Sequence, residues 1–148
     1  MRKIGKKSER GNAALEFALG WSVLWMIFSG VYQFGYSFYV YNVLMTSVTN
    51  AAQLGSKMNY DTEDTAAYTT ALQNMVLYGD TTAGTTTLVP RLLRSNVSVS
   101  VTAVSGIPRD VTISITGYSI DGLFKSFLMN GKPRVTTMYY GRVTCASC

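Results

Sequence analysis

The sequence predicts an α+β fold: one long N-terminal helix, membrane-spanning in its first half, with a small antiparallel sheet and short helices packed on its outer half. Three observations predict it. No side chain from Phe17 to Ser56 is charged. Between Val97 and Thr116 apolar and hydroxyl residues alternate with a period of two, which is the strand period. Between those two stretches Ala66, Ala67, Ala71, Leu72, Met75 and Val76 recur at helical spacing.

The charge-free stretch lies between Glu16 and Lys57 and holds 40 residues. That is twice the ~20 residues that carry a helix across a bilayer core. Its composition divides it. Phe17 to Tyr39 is dense in Trp21, Val23, Leu24, Trp25, Met26, Ile27, Phe28 and Val31, as lipid requires. Tyr41 to Ser56 mixes Val43, Leu44, Val48, Ala51, Ala52 and Leu54 with Asn42, Thr46, Ser47, Thr49, Asn50 and Gln53. Tyr32, Phe34, Tyr36, Phe38, Tyr39 and Tyr41 lie between, where an interfacial aromatic belt belongs. No proline interrupts the run, so one helix of roughly 60 Å is expected, half in lipid and half beyond it. The span is placed at about residues 17–39.

Charge sets the orientation. The formal net charge is +5, yet five of the 13 Lys and Arg residues (Arg2, Lys3, Lys6, Lys7 and Arg10) fall in the first ten positions against Glu9 alone. The remainder is nearly neutral. Basic residues before the span and few after it put the N-terminus in the cytoplasm and the C-terminal part outside. The same distribution argues against nucleic-acid binding, which needs Lys and Arg spread over a folded face. A secretory signal peptide shares the basic-then-apolar pattern. The apolar run here is longer than its usual core, and no small-residue cleavage site ends it.

Residues 57–148 form a head of marginal size for a single core. Asp61 is read as the N-cap of a helix with Thr62, Glu63 and Asp64 in its first turn, closed by Gly79. Asp80 to Thr87 reads as a loop. Val97, Val99 and Val101 alternate with Ser98, Ser100 and Thr102; Val111, Ile113 and Ile115 alternate with Thr112, Ser114 and Thr116. These are two half-buried strands joined by Ser105–Asp110. Ile120, Leu123, Phe124, Phe127 and Leu128 are read as a short amphipathic helix ended by Asn130-Gly131, and Val135 to Val143 as a third strand. One face of the sheet must be covered, and the nearest apolar surface is Val43, Leu44, Val48, Ala51 and Ala52 of the long helix.

Few residues offer chemistry. The chain has no histidine, which removes imidazole bases, His metal ligands and Ser-His or Cys-His dyads. No enzyme activity, cofactor, metal or small-molecule substrate is expected. Asp61, Glu63 and Asp64 lack a calcium-loop pattern and fit a helix start. Cys145 and Cys148 are the only cysteines. A zinc site would need two more ligands, and a thioredoxin-type dithiol would need a following helix. In an oxidising compartment they are expected as a disulfide, within the four-residue loop or to another chain.

The junction at the start of the span is the most informative segment: Arg10-Gly11-Asn12-Ala13-Ala14-Leu15-Glu16-Phe17. It resembles the processing site of type IV pilin precursors, in which a basic leader ends in glycine and a hydrophobic helix with glutamate at its fifth position follows. Counted from Asn12, Glu16 is fifth and Phe17 sixth. The Glu-Phe pair is similar to the tight-adherence (Tad/Flp) branch, in particular its TadE-like minor pilins or pseudopilins. Gln33-Phe34-Gly35 and Thr49-Asn50-Ala51-Ala52-Gln53-Leu54-Gly55-Ser56 also resemble TadE-type N-terminal regions, as do Asn74–Gly79 and Leu88-Val89-Pro90 in the head.

The resemblance implies a leader of residues 1–11, cleavage between Gly11 and Asn12, a helix over 12–56 and an external head over 57–148. It implies that Glu16, with Phe17 beside it, guides assembly by pairing with a neighbour's freed amine. It also implies a prepilin peptidase, other pilin subunits, an inner-membrane assembly platform with its ATPase, and a role in adhesion. A bacterial inner-membrane location and incorporation into a surface pilus follow from the same likeness. A helical spine bearing a small antiparallel sheet is the general pilin architecture, which the local reading reaches independently. The competing expectation is an unprocessed, single-pass periplasmic protein with a scaffold or thiol-redox role.

Overall fold

The computed structural model describes residues 9–105, 107–122 and 125–144. It comprises two compact units, Met1–Tyr36 and Ser37–Cys148. Helix α1 (Glu9–Lys57) is a single run of 49 residues. In the first unit it is the only element among the described residues. The Ser22 hydroxyl there donates to the Leu19 carbonyl at 2.8 Å, so this polar group needs no water.

In the second unit the same helix becomes a core element because its apolar residues fall on one face. Val40, Leu44, Val48, Ala51 and Ala52 are fully buried, at spacings of three and four. A helix end leaves carbonyls without intrahelical partners. Here Leu54 accepts from the Met58 N–H at 2.9 Å, Gly55 from the Tyr68 hydroxyl at 2.7 Å and Ser56 from the Tyr140 N–H at 2.7 Å. Two of those three donors come from elsewhere in the fold, so the helix end is sealed by tertiary structure.

Strand β1 (Tyr60–Asp61) follows, then helix α2 (Thr65–Tyr78). Asp64 caps α2 by accepting the Ala67 N–H at 3.1 Å. Gly79 closes it in the left-handed region, φ 78°, donating to the Met75 carbonyl. Tyr68, Leu72, Val76 and Leu77 are its buried stripe. The long connection to the sheet is pinned rather than loose. The Asn74 amide donates to the Thr81 carbonyl at 2.9 Å and accepts from Arg94 at 2.7 Å, and the Leu88 N–H donates to the Leu77 carbonyl at 2.7 Å.

Strands β2 (Val97–Val104), β3 (Ile107–Ile120) and β4 (Phe127–Met138) form an antiparallel sheet in the order β2-β3-β4. The register sets Val97 opposite Ile115, Val99 opposite Ile113 and Val101 opposite Val111, so one face is aliphatic. That face completes a core with Leu44, Leu72 and Val76. Each fully buried Leu or Ile contributes about 1.5–3 kcal/mol. The opposite face carries hydroxyls, among them Thr112 and Thr136, 2.9 Å apart. Strand β5 (Val143–Thr144) pairs in parallel with β1. The architecture is therefore α+β, with a long apolar N-terminal helix, a three-stranded antiparallel sheet and a short second helix.

Three expectations are corrected. The cap of α2 is Asp64, not Asp61. Asp61 is held in β1 opposite Thr144, and its carboxylate accepts the Glu63 N–H at 2.9 Å, so the helix starts only after this turn. The segment read as a short helix contains strand instead: Ile120 ends β3 and pairs with Phe127 of β4. Gly131, at φ 76°, lies within β4 near the shifts in register, so Asn130-Gly131 marks a bulge and not a helix end. The third strand begins at Phe127 and ends at Met138, and Val143 belongs to β5.

Three tyrosines join the helix ends to the C-terminal strand. Tyr60 meets Tyr68 edge-on at 5.1 Å between ring centres and Tyr139 at 6.3 Å. The Tyr139 hydroxyl lies 2.8 Å from both the Met58 and the Arg142 carbonyl oxygens. Burial, and then the neighbouring phenols of Tyr139 and Tyr60, push Tyr68 far above the ordinary tyrosine range. Burial raises Tyr139 too. A raised phenol keeps the folded state neutral while the unfolded state ionises. The stabilisation is thus complete below about pH 10 and erodes as the pH climbs further. Urea midpoints of the detergent-solubilised full chain are expected to fall between about pH 9 and about pH 11.5, and Tyr68→Phe is expected to make that fall shallower. An equal slope in both proteins would remove Tyr68 from this role.

Candidate functional site

Residues 11 to 17 run from the first turn of α1 into its third, and all seven are exposed. Gly11 is the first point of interest. A Cβ built there meets nothing within 4 Å, and its φ is not positive. Neither close packing nor a left-handed turn calls for glycine, and within a helix it costs about 0.5–1 kcal/mol relative to alanine. The same open space surrounds Gly20, Gly30 and Gly35 farther along α1.

Asn12 and Glu16 stand four residues apart, hence on one face and about 6 Å apart along the axis. Helical side chains slant toward the N-terminus, so the Glu16 carboxylate leans over the turn that begins at Asn12. Glu16 makes no ion pair among the described residues. Phe17, the next residue, stacks on Trp21 with ring centres 6.2 Å apart.

The surroundings of this face are apolar in every direction. The large apolar residues from Leu15 to Phe28 are 57–72% exposed. A helix hydrophobic all round has no aqueous side; it is made for lipid or for other helices. By length and composition α1 is able to cross a membrane. Trp21, Leu24, Trp25 and Phe28 line an open cleft of about 270 Å³ on this surface.

Residues 11–53 match the family model for TadE, described as TadE-like protein. The N-terminal segment is TadE-like. Comparison with curated proteins and with solved structures gives no match. The TadE match begins at Gly11 and takes in Asn12, Glu16 and Phe17, and it ends at Gln53 within the part of α1 that enters the core. The head motifs Asn74–Gly79 and Leu88-Val89-Pro90 lie beyond it.

The structure brings Gly11, Asn12, Glu16 and Phe17 into one exposed helical segment. Cys145 and Cys148 lie outside the described residues. Sequence reasoning passed over Ser29, which is buried like Gln33 one turn on. The available signal was a pair of polar residues four apart inside an apolar run.

Proposed function

We propose that this chain is a TadE-like minor pilin or pseudopilin, a structural subunit rather than a catalyst. It inserts with its N-terminus in the cytoplasm and residues about 17–39 in the bilayer. A prepilin peptidase removes residues 1–11 by cutting between Gly11 and Asn12. The mature chain joins other pilin subunits through the inner-membrane assembly platform and its ATPase, and the head contributes to surface adhesion outside.

The observation that carries this reading is the TadE match over residues 11–53, which begins at Gly11, five residues before Glu16. Cleavage there exposes the Asn12 amine, a cation at neutral pH, at the positive end of a helix dipole. A carboxylate costs about 2.5–3.5 kcal/mol at the centre of a bilayer and less at the edge of the span, where Glu16 stands, and an opposing amine from a neighbouring subunit offsets that cost. The leaning of Glu16 over its own Asn12 turn gives the same pairing an intramolecular form before assembly.

Mass spectrometry of the membrane-extracted protein is expected to find a mature chain that begins at Asn12. A chain that keeps Met1 or Arg2 in cells with active prepilin peptidase would instead support an unprocessed membrane anchor.

A further inference from the structure

One end of the head faces back along α1, and two independent sets of contacts identify the residues that stand there. The Thr137 hydroxyl donates to the Ala52 carbonyl at 3.0 Å, and the Tyr140 N–H donates to the Ser56 carbonyl at 2.7 Å. Strand β4 therefore advances in the same direction as α1. Its first residues, Phe127 and Leu128, lie toward Ser37, where α1 enters this unit. The second set runs through the connection between α2 and the sheet. The Tyr118 hydroxyl, near the end of β3, donates to the Pro90 carbonyl at 3.1 Å. Leu88, two residues before Pro90, lines an open cleft with Tyr39, Asn42 and Val43.

The ladder is long enough to reach the end of the span. The register sets Thr137 opposite Val111 and Phe127 opposite Ile120. Allowing for the bulges, these pairs are about eight ladder steps apart, or roughly 26 Å at ~3.3 Å per residue. From Ala52 back to Tyr39, α1 covers about 20 Å. With room for some inclination between strand and helix, Phe127 comes level with the tyrosines of the aromatic belt. The side chains at this end are apolar and uncovered: Leu88 is 45% exposed, Leu93 62%, Phe127 38% and Leu128 69%. Phe127 shares the face of its buried partner Ile120, and Leu128 points to the other, so the end of the ladder is apolar on both faces. Farther up, the outer face is polar, with Ser98, Ser114 and Arg134 in one row and Ser100, Thr112 and Thr136 in the next. Lys125 and the exposed ion pair of Arg91 with Asp121 flank the apolar residues.

We propose that this end of the head is a lipid-binding surface, seated in the face of the bilayer that its own α1 crosses. Phe127, Leu128, Leu93 and Leu88 enter the boundary between headgroups and acyl chains, where an apolar surface of this kind settles about 5–10 Å deep. Lys125, Arg91 and Asp121 remain among the headgroups, whose phosphates and amines meet charges of both signs. Continuity of the chain selects lipid over a protein partner. Helix α1 runs unbroken from Tyr39 back into the apolar stretch able to cross a membrane, so each copy carries this surface to the bilayer without a second molecule. The proposal rests on the reading of residues about 17–39 as a span and on no step of N-terminal processing. It gives the head a hold on the membrane separate from α1, one that incorporation into a pilus has to release.

The test uses the full chain, a single copy in each phosphatidylcholine nanodisc, with Cys145→Ser and Cys148→Ser as background. Leu128→Cys and Leu93→Cys carry an NBD fluorophore; both leucines are exposed, so the label leaves the core intact. Thr136→Cys, exposed on the polar part of the outer face, is the reference. The quencher is phosphatidylcholine with a nitroxide on its acyl chain near the glycerol. Quenching at positions 128 and 93 is expected to exceed that at 136 roughly threefold. Leu88→Asp with Leu93→Asp is expected to bring the Leu128→Cys signal down to the Thr136→Cys level. Quenching that persists in that variant would assign the contact to the label and overturn the proposal. Trp21 and Trp25, the chain's two tryptophans, report the span in the unlabelled protein. Quenched tryptophans with positions 128 and 93 no more quenched than 136 would overturn the proposal and leave the span standing. Unquenched tryptophans would overturn both.

Discussion

Leu72→Ala is expected to destabilise the head by about 2–5 kcal/mol, the range for removing a fully buried leucine from a packed core. Leu72 is 0% exposed and stands where α2 meets α1. The contact is close because Gly55 has no side chain. A Cβ at Gly55 would lie 2.9 Å from Leu72 Cδ1 and 3.0 Å from the Tyr68 hydroxyl. Gly55→Ala is therefore destabilising in the native chain, although alanine is the better helix former by about 1 kcal/mol. In the Leu72→Ala background most of that collision is gone and the propensity gain remains. The two substitutions are expected to couple by about 1 kcal/mol or more in a double-mutant cycle. Urea unfolding of the full chain in detergent measures all four corners. Simple additivity would show that α1 and α2 are not in the contact described.

Glu16→Ala is expected to leave insertion and trimming intact and to reduce incorporation of the subunit into pili or pilus-assembly complexes by roughly ten- to a hundredfold. That range corresponds to losing one charge-assisted contact of about 1.5–3 kcal/mol. The separation of the two effects follows from the helix. Replacing a carboxylate by a methyl group makes the span more apolar, so insertion does not suffer. Gly11 and Asn12 are unchanged, so on the proposed reading the cut is still available, and what is lost is the counter-charge for an amine. Comparing membrane-bound and assembled fractions, with the N-terminus read in each, checks the prediction. Assembly equal to that of the native chain would refute the role of Glu16 in setting register.

Much of this molecule is legible in its sequence because its periodicities are clean. The alternation of Val97 to Thr102 and Val111 to Thr116 states both strand and buried face, and the structure pairs those segments with each other. Gly79 marks the end of α2 because a left-handed cap is local chemistry. That Gly11, Asn12, Glu16 and Phe17 share one helical segment was legible for a different reason, since an uninterrupted apolar run keeps their spacing along one helix. The misreadings arise where a local pattern admits two answers. Asp61 and Asp64 are equally good caps in isolation, and only the pairing of β1 with β5, some 80 residues away in sequence, decides between them. The apolar residues after Ile120 fit a helical wheel, yet Phe127 is held as strand by its partner Ile120.

The pairing of β1 with β5 has a mechanical consequence. The two strands are parallel; β1 is entered from α1, and β5 leads to the C-terminus. Tension between the helix and the C-terminus pulls them in opposite directions along their length. Their bonds, Tyr60 to Arg142 and Thr62 to Thr144, and the Tyr139 hydroxyl between Met58 and Arg142, are then strained together in shear rather than peeled one after another. The load passes from α1 to β5 through this clasp and bypasses the three-stranded sheet.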